Sequence, residues 1–95
     1  MALSWLDTRE ATEFAKALGA FMTDELGRFQ TKDYQKKAAK TLMKGARRVE
    51  AFKATHRLNF WKRSRLANTF LWTLRDAGCP KDYAAELTGW LTRQL

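Results

Sequence analysis

No Gly or Pro lies between residues 46 and 77. Roughly a third of the chain therefore runs without either residue that most readily interrupts a helix. Nowhere do apolar and polar residues alternate long enough to suggest a half-buried strand. The whole chain holds one Pro and five Gly, so loops are few, and 95 residues is the length of one domain. Hydrophobic residues make up 45%, which is ample for a core. The expected fold is all-α: a single domain over residues 1–95, a compact bundle of about four helices joined by short connections and mostly antiparallel to their neighbours.

The first helix is expected over 8–26. Asp7 is the candidate N-cap, with Glu10 three positions on as in a capping box. Phe14, Leu18, Phe21, Met22 and Leu26 recur at helical spacing, and Gly27 is placed to end the helix. The second is expected over 32–56, with Thr31 as cap and Asp33 in its first turn. At about 100° per residue, Tyr34, Ala38, Leu42, Val49 and Phe52 share one side. The third is expected over 60–77, with Asn59 as cap and Phe60, Leu66, Ala67, Phe70, Leu71 and Leu74 as its main apolar face. The missing breaker also leaves open one long, bent helix in place of the second and third. Gly78 is placed to close the third helix, Cys79 to cap the fourth and Pro80 to occupy its first position. The fourth is expected over 80–94, with Tyr83, Leu87, Trp90 and Leu91 inward.

The formal net charge is +8, and it is unevenly spread. Residues 1–30 carry three basic and five acidic groups, residues 31–65 twelve and two, and residues 66–95 three of each. The excess is concentrated in "KKAAKTLMKGARR", residues 36–48, where six of thirteen residues are basic and none is acidic. On a helix, Lys36, Lys37, Lys40, Lys44, Arg47 and Arg48 fall opposite the apolar side. A basic face is ordinarily a solvated face. Concentrated and short of acidic neighbours, it can also attract anions. The positions 36, 40, 44 and 47 span about 16 Å of helix, enough to track several phosphates. Lys62, Arg63 and Arg65 would extend the stripe if the third helix begins nearby.

Other functional signals are weaker. His56 is the only His and falls on the apolar side of the second helix near Phe52. A catalytic base would want a carboxylate or nucleophile beside it. Cys79 is the only Cys, so no intrachain disulfide is available. At a helix start its thiol pKa could be lowered, although its place in a Gly-Cys-Pro turn explains it equally well. One Cys and one His cannot build a structural zinc site, and no Gly-rich phosphate loop is present. No cofactor, metal, catalytic residue or small-molecule substrate is therefore expected, and the chain reads as a non-enzymatic binding protein.

"LRDAGCPKDYAAELTGWL" has the helix, Gly-containing turn and helix of a DNA-reading motif. Its second helix offers Lys81, Asp82 and Glu86, and the two carboxylates would repel phosphate. It is expected to be an ordinary helical hairpin. The start "MALSWLDTRE" lacks the basic and apolar regions of a secretory signal, and no apolar run approaches the length of a membrane span. A cytoplasmic location is expected.

On the third helix, Trp61, Arg65, Asn68 and Trp72 form one stripe nearly opposite the main apolar face. Either this helix is central and packs on two sides, or the stripe is exposed and is an interface. The leading expectation is nucleic-acid binding, to DNA or RNA, by the basic face of the second helix. The alternative is a helical protein-interaction or homodimerisation module that uses the tryptophan stripe or an acidic protein surface.

Overall fold

The computed structural model describes residues 7–26 and 34–95, and the side chains from Ala38 onward in the second of these segments. It holds four helices: α1 (Arg9–Leu26), α2 (Tyr34–Thr55), α3 (Phe60–Asp76) and α4 (Lys81–Gln94). Among the described residues there is no strand, and the fold is an all-α bundle of four helices. Gly27, Thr31 and Asp33, and the side chain of Tyr34, lie outside the described residues.

Several of the described helix ends have a chemical cause. Asp7 Oδ1 accepts from the backbone N–H of Arg9 at 3.0 Å, and its carboxylate also pairs with the Arg9 guanidinium at 2.9 Å. Glu10 does not complete a capping box. It turns away to His56, which it meets at 2.6 Å. The second and third helices are separate, because side chains between them supply both a stop and a start. Thr55 Oγ1 donates to the Phe52 carbonyl at 3.2 Å, and His56 Nδ1 lies 3.1 Å from the same oxygen. Asn59 then takes an extended conformation, and its Oδ1 accepts from the N–H of Lys62 at 2.8 Å.

The α3–α4 turn is a complete Schellman closure. Gly78 takes φ +93°, which only Gly adopts cheaply. Gly78 N–H donates to the Arg75 carbonyl at 3.0 Å, and Cys79 N–H donates to the Leu74 carbonyl at 2.9 Å. The accompanying apolar contact has its ends in Leu74 and Cys79, both buried. The expected cap of α4 is displaced by one residue. Pro80, extended at φ −56° and ψ 146°, stands at the cap, and Cys79 sits before it in the core.

The interior is built around α1 and α3. Ala11, Ala15 and Gly19, four residues apart on α1, are all buried. Small side chains in that ridge let α3 approach closely, so that Gly19 meets Thr73. Asp7 lies within electrostatic reach of Lys62 at the other end of this contact, so α1 and α3 run in the same direction. On its other side α1 faces α2 with aromatics. Phe14 stacks on Phe52 with centroids 4.3 Å apart, Arg48 covers Phe21 at 4.0 Å, and Met22 reaches Gly45. These pairings make α1 and α2 antiparallel. The α4 helix folds back on α3 through the Gly78 turn. It touches α2 where Trp90 meets Gly45 and where Lys53 donates to the Gln94 carbonyl at 2.9 Å. Helices α2 and α3, although consecutive, are not in contact.

Two expectations about the core are corrected. Leu42 is only half-buried, and the centre of the α2 inner face is instead Thr41, Gly45, Val49 and Phe52. Phe60 is 83% exposed rather than part of the α3 apolar face. It shares the shoulder of that face with half-buried Ala67 and Leu71, and at the first turn of the helix nothing among the described residues covers that shoulder.

Candidate nucleic-acid interface

The basic residues of α2 divide into an inner edge and an outer ridge. Lys44 and Arg48 flank the α1 contact. Lys44 Nζ pairs with Glu25 at 2.8 Å, and the Arg48 guanidinium lies over the Phe21 ring. Both remain exposed, but each is partly committed to α1. Lys40 and Arg47 form the outer ridge, and among the described residues neither has an ion-pair partner. Lys36 and Lys37 belong to the same helix, with side chains outside the described residues. The one carboxylate on α2, Glu50, lies one turn on from Arg47 but contacts Lys53, at 3.5 Å.

Lys62, Arg63 and Arg65 do not extend this ridge. Lys44 meets the last turn of α1 at Glu25, whereas Lys62 faces Asp7 just before its first turn. The two sites are about 27 Å apart along α1 at 1.5 Å per residue. Arg65 lies on the outer stripe of α3, and Arg63 is exposed beside it. The expected single stripe is thus two cationic surfaces on helices that do not touch.

The outer stripe of α3 is exposed along its length. Trp61 is 53% and Trp72 61% exposed, and Arg65 and Asn68 between them are also exposed. A shallow hollow of about 170 Å³ lies beside Trp61, lined by Ser64, Arg65 and Asn68. Although α3 packs against both α1 and α4, nothing among the described residues covers this stripe. The fully buried residues of α3, Leu66, Phe70 and Leu74, lie on the opposite side.

His56 has the neighbours that a catalytic base would want, Glu10 at Nε2 and the Thr55 hydroxyl 2.8 Å from Nδ1. Its ring also stacks on Phe52 at 4.2 Å. The cluster borders a cleft of about 280 Å³ whose other walls include Asp7, Arg57 and Lys62. Both ring nitrogens are engaged, Nε2 by a carboxylate and Nδ1 by the Phe52 carbonyl and Thr55. The arrangement ties the end of α2 to the start of α1. Sequence reasoning missed this clasp and the Lys44–Glu25 pair because their partners are far apart in the chain, where no local spacing signals them.

Cys79 is not an activated thiol. It is buried, and burial pushes its pKa up to about 11, with nearby Arg75 opposing only in part. The dipole at the start of α4 does not reverse this, because desolvation disfavours the thiolate. Lys81, Asp82 and Glu86 are exposed at the start of α4. Among the described residues no group of three or more His, Cys, Asp or Glu could hold a metal ion, and no helix is long and apolar enough to cross a membrane. No family model, curated protein or solved structure matches the chain.

Proposed function

We propose that this protein is a small, non-enzymatic nucleic-acid-binding protein of the cytoplasm, whose α2 helix contacts the phosphate backbone without reading sequence. The observation that carries the reading is the outer ridge of α2: Lys40 and Arg47 are exposed and form no ion pair among the described residues, and the one carboxylate nearby, Glu50 a turn on from Arg47, contacts Lys53. Cations placed this way release the counterions condensed on a nucleic acid when they meet its phosphates, and that release is the main source of sequence-independent affinity. Lys44 and Arg48 add charge at the margin of the ridge while they hold α2 against α1.

The test is binding of duplex DNA, duplex RNA and single strands at two salt concentrations. Affinity should fall steeply as salt rises. Lys40→Glu with Arg47→Glu should weaken binding and reduce the slope of log affinity against log salt by about 2. This pair is cleaner than one that includes Lys44, since a Glu at position 44 would face Glu25. Salt-independent binding, or binding untouched by the double change, would refute the reading.

A second reading, a protein-interaction module, draws support from the exposed Phe60, Trp61 and Trp72. Trp and Arg are enriched at the energetic centres of protein interfaces. Its partner would carry an acidic surface or be a second copy of the chain.

A further inference from the structure

The tryptophans of α3 lie outside the core, more than half exposed, and stand in a line with Arg65 and Asn68. We propose that this outer stripe is a stacking site for unpaired bases, so that the protein prefers single-stranded over duplex nucleic acid. This inference rests on the reading of the protein as a nucleic-acid binder and assigns to α3 a role that the α2 ridge does not supply.

Two large indoles more than half exposed on one helix face are costly to leave in water and are not explained by the fold. Their chemistry is specific. An indole face stacks on any base, because every base has a π-face. In a duplex those faces are hidden and only the edges are offered in the grooves, so a stacking surface selects unpaired strands. Around Trp61 the hollow of about 170 Å³ is walled by a hydroxyl, a guanidinium and an amide, from Ser64, Arg65 and Asn68. A base stacked on Trp61 would present its edge to these groups. The Asn68 amide carries both donor and acceptor, the combination that pairs with a base edge. The Arg65 guanidinium can take a phosphate or stack in its turn. Trp61 and Trp72 are eleven residues apart, about 16 Å along the helix. They would therefore hold bases separated by several nucleotides of one strand, within the footprint of about 4–16 nucleotides common to single-strand binders.

Charge decides between a nucleic acid and a second copy of the chain. No Asp or Glu occurs between Glu50 and Asp76, while α3 carries Lys62, Arg63, Arg65 and Arg75. Between its two tryptophans the stripe offers only cationic and neutral groups. A two-fold contact between identical stripes would bring Arg65 of both copies into one interface with no carboxylate between the tryptophans to neutralise them. A polyanion with exposed aromatic faces meets both features of the surface at once.

The experiment compares a fluorescently labelled 12-nucleotide single strand with its duplex, by anisotropy, for the full chain and four variants. Wild type should bind the single strand more tightly and lose tryptophan fluorescence as it does so. Trp61→Leu and Trp72→Leu should each weaken single-strand binding by roughly 5- to 100-fold, the range of one lost stacked base, with duplex binding and the helical circular-dichroism spectrum unchanged. Asn68→Ala, which removes no buried group, should alter the preference among homopolymeric strands and spare duplex binding. Lys40→Glu with Arg47→Glu should weaken both forms. Single-strand binding indifferent to both tryptophan changes would overturn the stacking site. Salt-dependent duplex binding in that same result would leave the α2 reading standing. Absence of any nucleic-acid binding, with a dimer in sedimentation that Trp72→Leu dissolves, would overturn both and assign the stripe to self-association.

Discussion

Gly19→Ala tests the helix arrangement on which every surface described above depends. A Cβ added at Gly19 would lie 2.6 Å from Cγ2 and 2.9 Å from Cβ of Thr73, where carbon contacts settle at about 3.5–4.0 Å. Thr73 cannot simply turn aside. It is β-branched, with stiff χ1 in a helix, and its hydroxyl donates to the Thr69 carbonyl at 2.8 Å. Its Cβ is fixed by the backbone in any rotamer. Relief therefore requires α1 and α3 to part, and theirs is the main helix contact, flanked by buried Ala15 and Phe70. Replacing Gly by Ala within a helix favours folding by about 1 kcal/mol. Overpacking a rigid contact costs about 1–3 kcal/mol, and a clash with a Cβ belongs at the upper end. The net expectation is a loss of about 1–2 kcal/mol, or roughly 5–10 °C in melting temperature for a domain of this size. Thermal and urea unfolding followed by circular dichroism measure it directly. Thr73→Ser removes the offending methyl and keeps the hydroxyl, so adding it to Gly19→Ala should recover part of the loss as a non-additive coupling. A variant as stable as the parent, or more so, would mean that α1 and α3 are not in this close register.

Other expectations follow from exposure and ionisation. Trp61→Ala and Trp72→Ala should each shift the melting temperature only slightly, whereas Phe70→Ala, at a fully buried site, should cost about 3–5 kcal/mol in urea unfolding. The Asp7 carboxyl, held down to about 2 chiefly by its hydrogen bonds from Arg9, should remain ionised in the folded protein at pH 3 by carbon-detected NMR. Its support for the start of α1 is present above the unfolded value of 3.8 and is lost as pH falls from about 4 towards 2. The Cys79 thiol should resist iodoacetamide at pH 8 unless the chain is unfolded. Because its folded pKa is raised from 9.0 to about 11, its neutral form stabilises the fold below pH 9, and that contribution is lost as pH rises to 11.

Much of the architecture was legible because it is written locally. Asn59 begins α3 and Gly78 ends it, each through hydrogen bonds reaching no more than five residues along the chain. What could not be read was carried by residues whose role depends on a distant neighbour. Thr41 and Gly45 look like poor core residues by hydropathy, yet they are buried, and Gly45 is where Met22 and Trp90 converge. Ala11, Ala15 and Gly19 carry little apolar signal, but their smallness is what admits α3. The basic stripe was legible as a composition. Its division was not, because Glu25 and Phe21, which claim Lys44 and Arg48, sit on another helix. The tryptophan stripe was visible from spacing, but only the packing of neighbouring helices could decide whether it was covered.

The acidic and basic thirds of the chain then have a common logic. The carboxylates of α1 are not spread as counter-charge over the whole basic surface. Glu25 takes Lys44 on α2, and Glu10 meets His56 just past the end of that helix, so that α1 holds this segment at two points twelve residues apart. The Lys44 contact falls on the inner edge of α2. An exposed ion pair such as Lys44–Glu25 contributes little to stability, but it sets where the remaining charge points. With the inner edge partly neutralised, the unpaired cations are those of the outer ridge, Lys40 and Arg47, directed away from the acidic helix. On α3, with no carboxylate before Asp76, the same separation leaves Arg63 and Arg65 beside the exposed indoles. A field oriented in this way accelerates encounter with a polyanion. Reversing Glu25 to Lys should therefore release Lys44 and strengthen single-strand and duplex binding at low salt alike, an effect that vanishes at high salt as screening takes over. If Glu25→Lys leaves affinity unchanged at low salt, the charge of α2 is not what draws the ligand, and the phosphate-contact reading fails with it.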